Sequence, residues 1–325
     1  MLKRRLCEAR FTWKLSCEGP LLIADGRYEK KKAEDKESKG KSPDKIFISR
    51  TPQDQMKRTV EQARSAEALR SLAFYVPGTS LRGPVRAQAE RILRTVLPGD
   101  PPATACDPFQ MEEVATRSCS KRLDEKREDV PYAAVCPACR LFGCAGTASR
   151  VQISDADIGT SARSVFRDMI GIDRFTGGVH QGANMRFHAL EGASFETTVA
   201  VTNFELWQLG LLAFVFRDFE EGLVSIGFGK TKGFGQVTGK IQSVEIAYPR
   251  GRQEGKLQDL YSLATKDEQG HYGLHPHKAP ALEMKAPKSA RLDFYEIFQV
   301  DVEPLWTAAA EAFLGFVQTI QGKAA

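Results

Sequence analysis

An α+β fold is predicted by three features of the chain: a first strand with strict two-residue alternation, two capped amphipathic helices with a strand pair between them, and a glycine-rich stretch leading into a last strand. With 325 residues, 42% of them hydrophobic and 27% charged, the chain can bury one large core or two modest ones.

In the first strand Phe11, Trp13, Leu15 and Cys17 alternate with Thr12, Lys14 and Ser16, the pattern of a strand covered on one face. Residues 25–55 turn polar, and the stretch from Lys30 to Lys41 has nothing to bury, so a long mobile loop is expected there. Val76-Pro77-Gly78-Thr79-Ser80 stops the chain and supplies a helix cap, and Leu81, Val85, Ile92 and Val96 follow at helical spacing. Pro84 is tolerable only in that helix's first turn, so it is expected there. Residues 98–145, rich in Pro, Asp and Cys and without periodicity, suit an insertion organised by a metal ion rather than by a core. Val151–Ile153 and Phe195–Val201 read as strands separated by a polar, glycine-bearing excursion over 161–192, expected to be a hairpin-like projection. Asn203 caps a helix running to Phe219 with Leu206, Gly210, Ala213 and Phe216 on one face. Short strands are expected on both sides of the glycine-rich stretch, over Leu223–Ile226 and Gln236–Ile241. The chain is polar again from Arg250 to Ala290 and closes with a helix in which Val302, Trp306, Phe313, Val317 and Ile320 share a face. A unit over 1–245, with insertions, followed over 246–325 by a polar linker and a C-terminal helix that packs on that unit, is the expected division.

A net charge of +5 is a small excess over this length and favours an anionic partner only weakly. The basic start Met1-Leu2-Lys3-Arg4-Arg5 is not followed by the apolar stretch of a signal peptide, and the longest apolar run, Leu209–Phe216, is too short to cross a bilayer. No membrane association and a cytoplasmic location are expected, and cysteine usage agrees: seven cysteines, five of them between 106 and 144, read as a metal knot rather than a disulfide framework.

The segment Gly227-Phe228-Gly229-Lys230-Thr231-Lys232-Gly233-Phe234-Gly235 is the clearest functional signal. Glycine admits backbone conformations closed to other residues and bares amide groups to a phosphate, Lys230 and Lys232 add charge, and Phe228 and Phe234 are candidates to stack on bases. It is neither of the common nucleotide motifs. A Walker loop needs Gly where Val224 stands, and the dinucleotide fingerprint needs Gly where Lys232 stands. Nucleic acid is the expected partner. The element order strand, helix, strand pair, helix, strand is that of a ferredoxin-like or RNA-recognition-type palm.

Cys136 and Cys139, spaced C-x-x-C, place two thiolates on one zinc ion. Cys106 and Cys119 are favoured to complete a four-thiolate site because they lie in the same core-poor insertion, with Cys144 as the substitute. A filled site of this kind leaves no open position for catalysis. Cys7 and Cys17 read as strand core.

Four stretches, in order, resemble the RAMP superfamily of CRISPR-associated proteins: Tyr75-Val76-Pro77-Gly78-Thr79-Ser80-Leu81-Arg82-Gly83, Cys136-Pro137-Ala138-Cys139-Arg140-Leu141-Phe142-Gly143, Ile172-Asp173-Arg174-Phe175-Thr176-Gly177, and the glycine loop. The resemblance covers roughly residues 8–245 and is closest to the backbone subunit of type III effector complexes. It implies an RNA-recognition-type palm with a zinc-knuckle insertion, a thumb hairpin, and stacking beside other subunits along a CRISPR guide RNA that is presented to a complementary target RNA. Ser80 and the amide groups opening its helix would form an anion site, with Arg82 and Arg86 on one face. The thumb would run from Ile172 to about Glu191 and carry Arg174, Phe175, His180, Gln181, Met185, Arg186 and Phe187, with Met185 or Phe187 wedging between bases. The resemblance further implies a structural zinc and target cleavage by a loop aspartate with magnesium or manganese. Asp44 is the first candidate, Asp25 the second, and the Lys30–Lys41 insertion separates them.

Three readings follow: a guide-binding subunit that cuts its target, the same scaffold without cleavage, and a guide-processing endoribonuclease using a histidine base. His180 and His188 fall in the thumb and His271, His275 and His277 in a polar loop, where surface histidines are expected.

Overall fold

The computed structural model describes residues 3–28, 42–110, 118–126, 131–251, 255–277, 282, 284, 289–291 and 294–324. The expected Lys30–Lys41 loop lies outside the described residues.

Ten strands are described: β1 (Glu8–Cys17), β2 (Tyr75–Val76), β3 (Val151–Ile153), β4 (Ala156–Asp157), β5 (Arg163–Ile172), β6 (Val179–Glu191), β7 (Ala193–Thr202), β8 (Thr238–Pro249), β9 (Ser289–Arg291) and β10 (Tyr295–Val300). The helices are α1 (Gln53–Gln62), α2 (Gly78–Val96), α3 (Cys119–Lys126), α4 (Pro131–Ala134), α5 (Pro137–Phe142), α6 (Leu206–Glu220), α7 (Leu260–Leu263), α8 (Lys266–His271) and α9 (Val302–Ala324). The main sheet has the order β3-β7-β1-β8-β10-β9, and each neighbouring pair is antiparallel. In its first four strands, β1-α2-β3 and β7-α6-β8 interleave, which is the ferredoxin-like arrangement that the element order predicts.

Alternation in β1 determines which face is covered. Phe11, Trp13 and Leu15 are fully buried. Phe11 stacks on Trp306 of α9 with centroids 5.1 Å apart, and Trp13 meets Phe219 of α6 edge-on at 4.9 Å. Helices α6 and α9 in turn seal against each other, with Trp207 stacked on Phe316 at 4.1 Å and a Cβ on Gly210 brought within 2.1 Å of the Ala309 carbonyl oxygen. The C-terminal helix thus completes the core over β1.

Several local expectations are corrected. Helix α2 begins at Gly78, so Pro84 lies in its second turn, where it withholds the N–H that would bond the Ser80 carbonyl. Asn203 does not cap α6. It sits at φ 52 with its Oδ1 accepting from the Leu6 N–H at 2.8 Å, and Glu205 forms the capping box with Gln208. Before the glycine stretch no strand forms, only an isolated bridge between Ser225 and Gln236. The excursion over 161–192, by contrast, is the expected hairpin, β5 paired with β6 in a sheet separate from the main one.

Candidate nucleic-acid interface and metal centre

Left-handed backbone at Gly227, Gly229, Gly233 and Gly235 (φ 76, 78, 78 and 72) shapes the glycine loop. A Cβ at Gly227 would stand 2.4 Å from the Leu22 carbonyl oxygen, and one at Gly235 only 1.8 Å from that of Ile226. The loop is docked on the segment that follows β1: the Phe228 N–H donates to Leu22 O at 2.7 Å and the Gly235 N–H to Pro20 O at 2.8 Å. Between these anchors a single 3-10 turn presents Lys230, Thr231 and Lys232 to solvent. Phe234 is 4% exposed and packs under Gly229, so it anchors the turn and offers no ring face to a base. Phe228 is half-buried, 5.2 Å from the Phe187 ring, with the Lys45 ammonium 5.6 Å over its own ring.

Phe187 stands at the base of the hairpin, 1% exposed, which removes it from the expected wedge. One hairpin face runs outward through the pairs Phe166–His188, Asp168–Arg186, Ile170–Asn184 and Ile172–Val179. Its inner end is packed against Phe74, its middle is closed by the Arg186–Asp168 ion pair at 2.7 Å, and its outer end is apolar and exposed at Ile170, Ile172 and Val179. The Asp173 carboxylate accepts from the Phe175 and Thr176 N–H groups at 2.8 and 2.9 Å, turning the chain so that the Phe175 ring is wholly in solvent. Those backbone bonds also hold the Asp173 carboxyl below its ordinary pKa. Arg174 and Met185 are exposed, as expected of thumb residues. Ile170 and Val179 are the exposed apolar residues that sequence reasoning did not single out, and Phe175, named there only as one residue of the projection, stands at its tip; the Asp-x-x-Thr-Gly turn around it is the signal that marks the tip.

Asp44 lies beside the inner end of the same hairpin. Its carboxylate accepts from the Arg186 N–H at 2.7 Å, its own N–H donates to the Arg186 carbonyl at 2.6 Å, and Lys45 bridges Phe187 in parallel. The glycine loop, hairpin base and Asp44 segment therefore meet around Phe187 and Phe228. Asp25 has different company. It is 5% exposed, and its carboxylate accepts from Arg27 Nη2 at 2.6 Å, Arg27 Nε at 3.0 Å and the Ser49 N–H at 3.4 Å. Burial alone would raise its pKa; these bonds outweigh burial and hold it below the carboxylate range, as befits a loop brace. His188, expected on the surface, is fully buried. Its Nδ1 accepts from the Phe47 N–H at 3.3 Å, Nε2 pairs with Ser164 Oγ at 3.2 Å, and burial pushes its pKa down to about 3, so it is neutral. His275 is likewise buried.

At the start of α2, Pro77 is the cap residue and the Asp155 carboxylate accepts from the Gly78 N–H at 2.8 Å, while Ser80 lies inside the first turn. Arg82 donates to the Phe142 carbonyl and, at 3.3 Å, to Ser149 Oγ. Arg86 donates to the Gly143 carbonyl at 3.0 Å, to Glu90 at 2.7 Å and to the Cys139 sulfur at 3.6 Å. Both arginines thus face the cysteine insertion and have partners within the chain.

Cys106, Cys119, Cys136 and Cys139 are all buried, and their sulfurs lie within 4.8 Å of one another. Cys106 and Cys139 stand 3.7 Å apart, against about 3.8 Å for the edge of a tetrahedron with metal–sulfur bonds of about 2.3 Å. The N–H groups of Cys106, Cys119 and Cys136 point at neighbouring sulfurs at 3.5, 3.5 and 3.3 Å. Hydrogen bonding to Cys119 lowers the Cys106 thiol pKa, and bonding to Cys106 lowers that of Cys136. This set can hold one metal ion such as zinc. Cys144 is outside it, and among the described residues no other His, Cys, Asp or Glu group of three or more gathers closely enough for an ion.

Among the described residues no helix is long and apolar enough to cross a membrane. No curated protein matches the chain. The family model of the RAMP superfamily matches residues 14–238, a span that holds the end of β1, α2, the cysteine insertion, the hairpin and the glycine loop. The chain belongs to the RAMP superfamily, whose CRISPR-associated members bind RNA.

Proposed function

We propose that this chain is a backbone subunit of a type III CRISPR effector complex, binding guide RNA along its sugar–phosphate chain, presenting complementary target RNA, and cutting that target with Asp44. The observation that supports the reading is the meeting of glycine loop, hairpin base and Asp44 segment around the Phe187–Phe228 contact at 5.2 Å. Three functions expected of one RNA path come from segments far apart in sequence.

In this reading Lys230 and Lys232 pair with phosphates, and the glycine-rich backbone lets the strand lie close. Base pairing supplies sequence discrimination, so the protein has no need of base-edge contacts. The exposed end of the hairpin, Phe175 with the adjacent Arg174, enters the guide–target duplex and unstacks a base step, with the exposed Met185 lower on the same hairpin. The backbone of Arg186 orients the Asp44 carboxylate at the other end. Among the described residues Asp44 belongs to no preformed cluster of metal-binding side chains, and a magnesium or manganese ion held by it would also be coordinated by RNA phosphate and water. When bound, the ion would stabilise charge on the phosphate under attack by the neighbouring 2′-hydroxyl. Zinc on the four cysteines would hold the insertion folded and take no part in cleavage.

The test is an assembled complex given guide-complementary RNA, with magnesium or with EDTA, for the wild type and Asp44→Ala. Cutting only by the wild type with magnesium supports the proposal. An uncut target in every arm, with guide bound, means a scaffold without cleavage.

A further inference from the structure

Every fourth residue from Arg82 to Arg94 on α2 turns toward the cysteine insertion. Arg82 reaches the Phe142 carbonyl, Arg86 the Gly143 carbonyl and the Cys139 sulfur, and Arg94 the carbonyls of Ala105 and Cys106 at 3.2 and 2.7 Å. Glu90 joins the last two, bonded to Arg86 at 2.7 Å and to Arg94 at 3.3 Å. Only one of these side chains touches sulfur.

We propose that Arg86 is a positioning residue of the metal centre, supplying the positive charge that four thiolates around a divalent ion lack. The inference rests on the reading of the four cysteines as a metal site. Four thiolates and one divalent ion leave two negative charges in excess, and all four cysteines are buried, where uncompensated charge is costly. The N–H contacts to Cys106, Cys119 and Cys136 sulfurs are neutral dipoles. Among the described residues the Arg86 guanidinium is the full charge that bonds to a sulfur, with Nη2 3.6 Å from Cys139 Sγ and its side chain 19% exposed; Glu90, which pairs with it, is shared with Arg94. Its two other bonds, to Gly143 and Glu90, fix the direction in which it points. Gly143 directly follows the α5 knuckle, so the same side chain holds both the charge balance and the C-terminal end of the C-x-x-C turn.

Partners that orient or neutralise metal ligands typically change metal affinity by 10- to 100-fold when removed. The experiment uses the full chain, purified as it exists, as wild type, Arg86→Ala, Arg86→Lys and Arg82→Ala. Zinc content is measured first, then the rate of zinc loss to a chromogenic chelator, the sulfur-to-metal charge-transfer band after cobalt exchange, and thermal melting. Zinc loss at least 10-fold faster in Arg86→Ala with a shifted cobalt band, partial rescue by Arg86→Lys, and near wild-type zinc loss in Arg82→Ala is the expected pattern. Arg82 holds the same knuckle without touching sulfur, so a merely structural role for Arg86 would make the two alanine variants alike in melting and in zinc loss, and would overturn the proposal. If Arg86→Ala fails to fold, Arg86→Gln, which keeps a donor and loses the charge, replaces it against Arg82→Ala, and wild-type zinc retention with an unchanged cobalt band in Arg86→Gln overturns the proposal. A wild-type chain free of metal and unable to take up cobalt overturns the metal centre itself, and the role of Arg86 with it.

Discussion

The Asp44 carboxylate accepts a hydrogen bond from the backbone N–H of Arg186 at 2.7 Å, and the Asp44 N–H returns one to the Arg186 carbonyl at 2.6 Å. A loop acid is thereby fixed to the hairpin by two backbone bonds. Asparagine can keep the acceptor while losing the charge, so the two roles of Asp44 separate. Asp44→Asn is expected to melt within a degree or two of the wild type and Asp44→Ala to lose about 1–2 kcal/mol, while both lower target cleavage at least about 100-fold with guide binding unchanged. Chemical denaturation beside a cleavage time course makes the check. Normal cleavage by Asp44→Asn would show that the carboxylate does only structural work.

The two hairpin phenylalanines should part company in the same way. Phe187 is buried and Phe175 is in solvent. Phe187→Ala is expected to cost about 3–5 kcal/mol of stability. Phe175→Ala should leave stability within about 0.5 kcal/mol but weaken target binding by about 1–3 kcal/mol, the range of one base–aromatic stack. Target titrations onto guide-loaded complex measure the second effect; unchanged affinity would remove Phe175 from the interface.

Ligand identity at the cysteine centre is tested by metal content. Cys119→Ser should lose most bound zinc and lower the melting temperature, because one ion would tie residues 106, 119, 136 and 139 together, whereas Cys144→Ser should keep both. Equal zinc loss in the two variants would contradict the ligand set.

Acid stability should carry the mark of His188. An unfolded histidine titrates near about 6.5, and burial holds the folded one at about 3. Between those values the unfolded chain binds the extra proton, so this contribution is complete above about pH 6.5 and is lost as pH falls toward 3, by at most about 1.4 kcal/mol per pH unit. Asp25, with its lowered pKa, contributes stability that is present above the unfolded carboxylate value and is lost only at lower pH still. Urea midpoints from pH 7 to pH 4 should therefore fall less steeply for His188→Gln than for the wild type. Equal slopes would mean that His188 is protonated in the fold.

What was legible in the sequence follows from how local each cause is. The alternation of Phe11, Trp13 and Leu15 needs only one covered face, and it is met by α6 and α9. The C-x-x-C turn is local, and the favoured partners Cys106 and Cys119 do join it. Arg82 and Arg86 show by spacing that they share a helix face, but what the face meets is a knuckle about sixty residues on, which spacing does not encode. Phe187 and Phe175 are equivalent by composition; only the Asp173 turn and the covering 44–47 segment make one a tip and the other a base. Helix α1 buries just Met56 and Val60, too thin a stripe to stand out beside a polar run.

The central claim is that the exposed lysine turn of the glycine loop grips a ribose–phosphate strand. Its most direct test is the salt dependence of guide-RNA binding by the wild type and by the Lys230→Gln, Lys232→Gln double variant. Each single-strand phosphate contact contributes about 0.7 to the slope of log affinity against log salt, so the account predicts a slope shallower by about 1.4, alike for unrelated guide sequences. An unchanged slope, or a loss confined to one guide sequence, would contradict it.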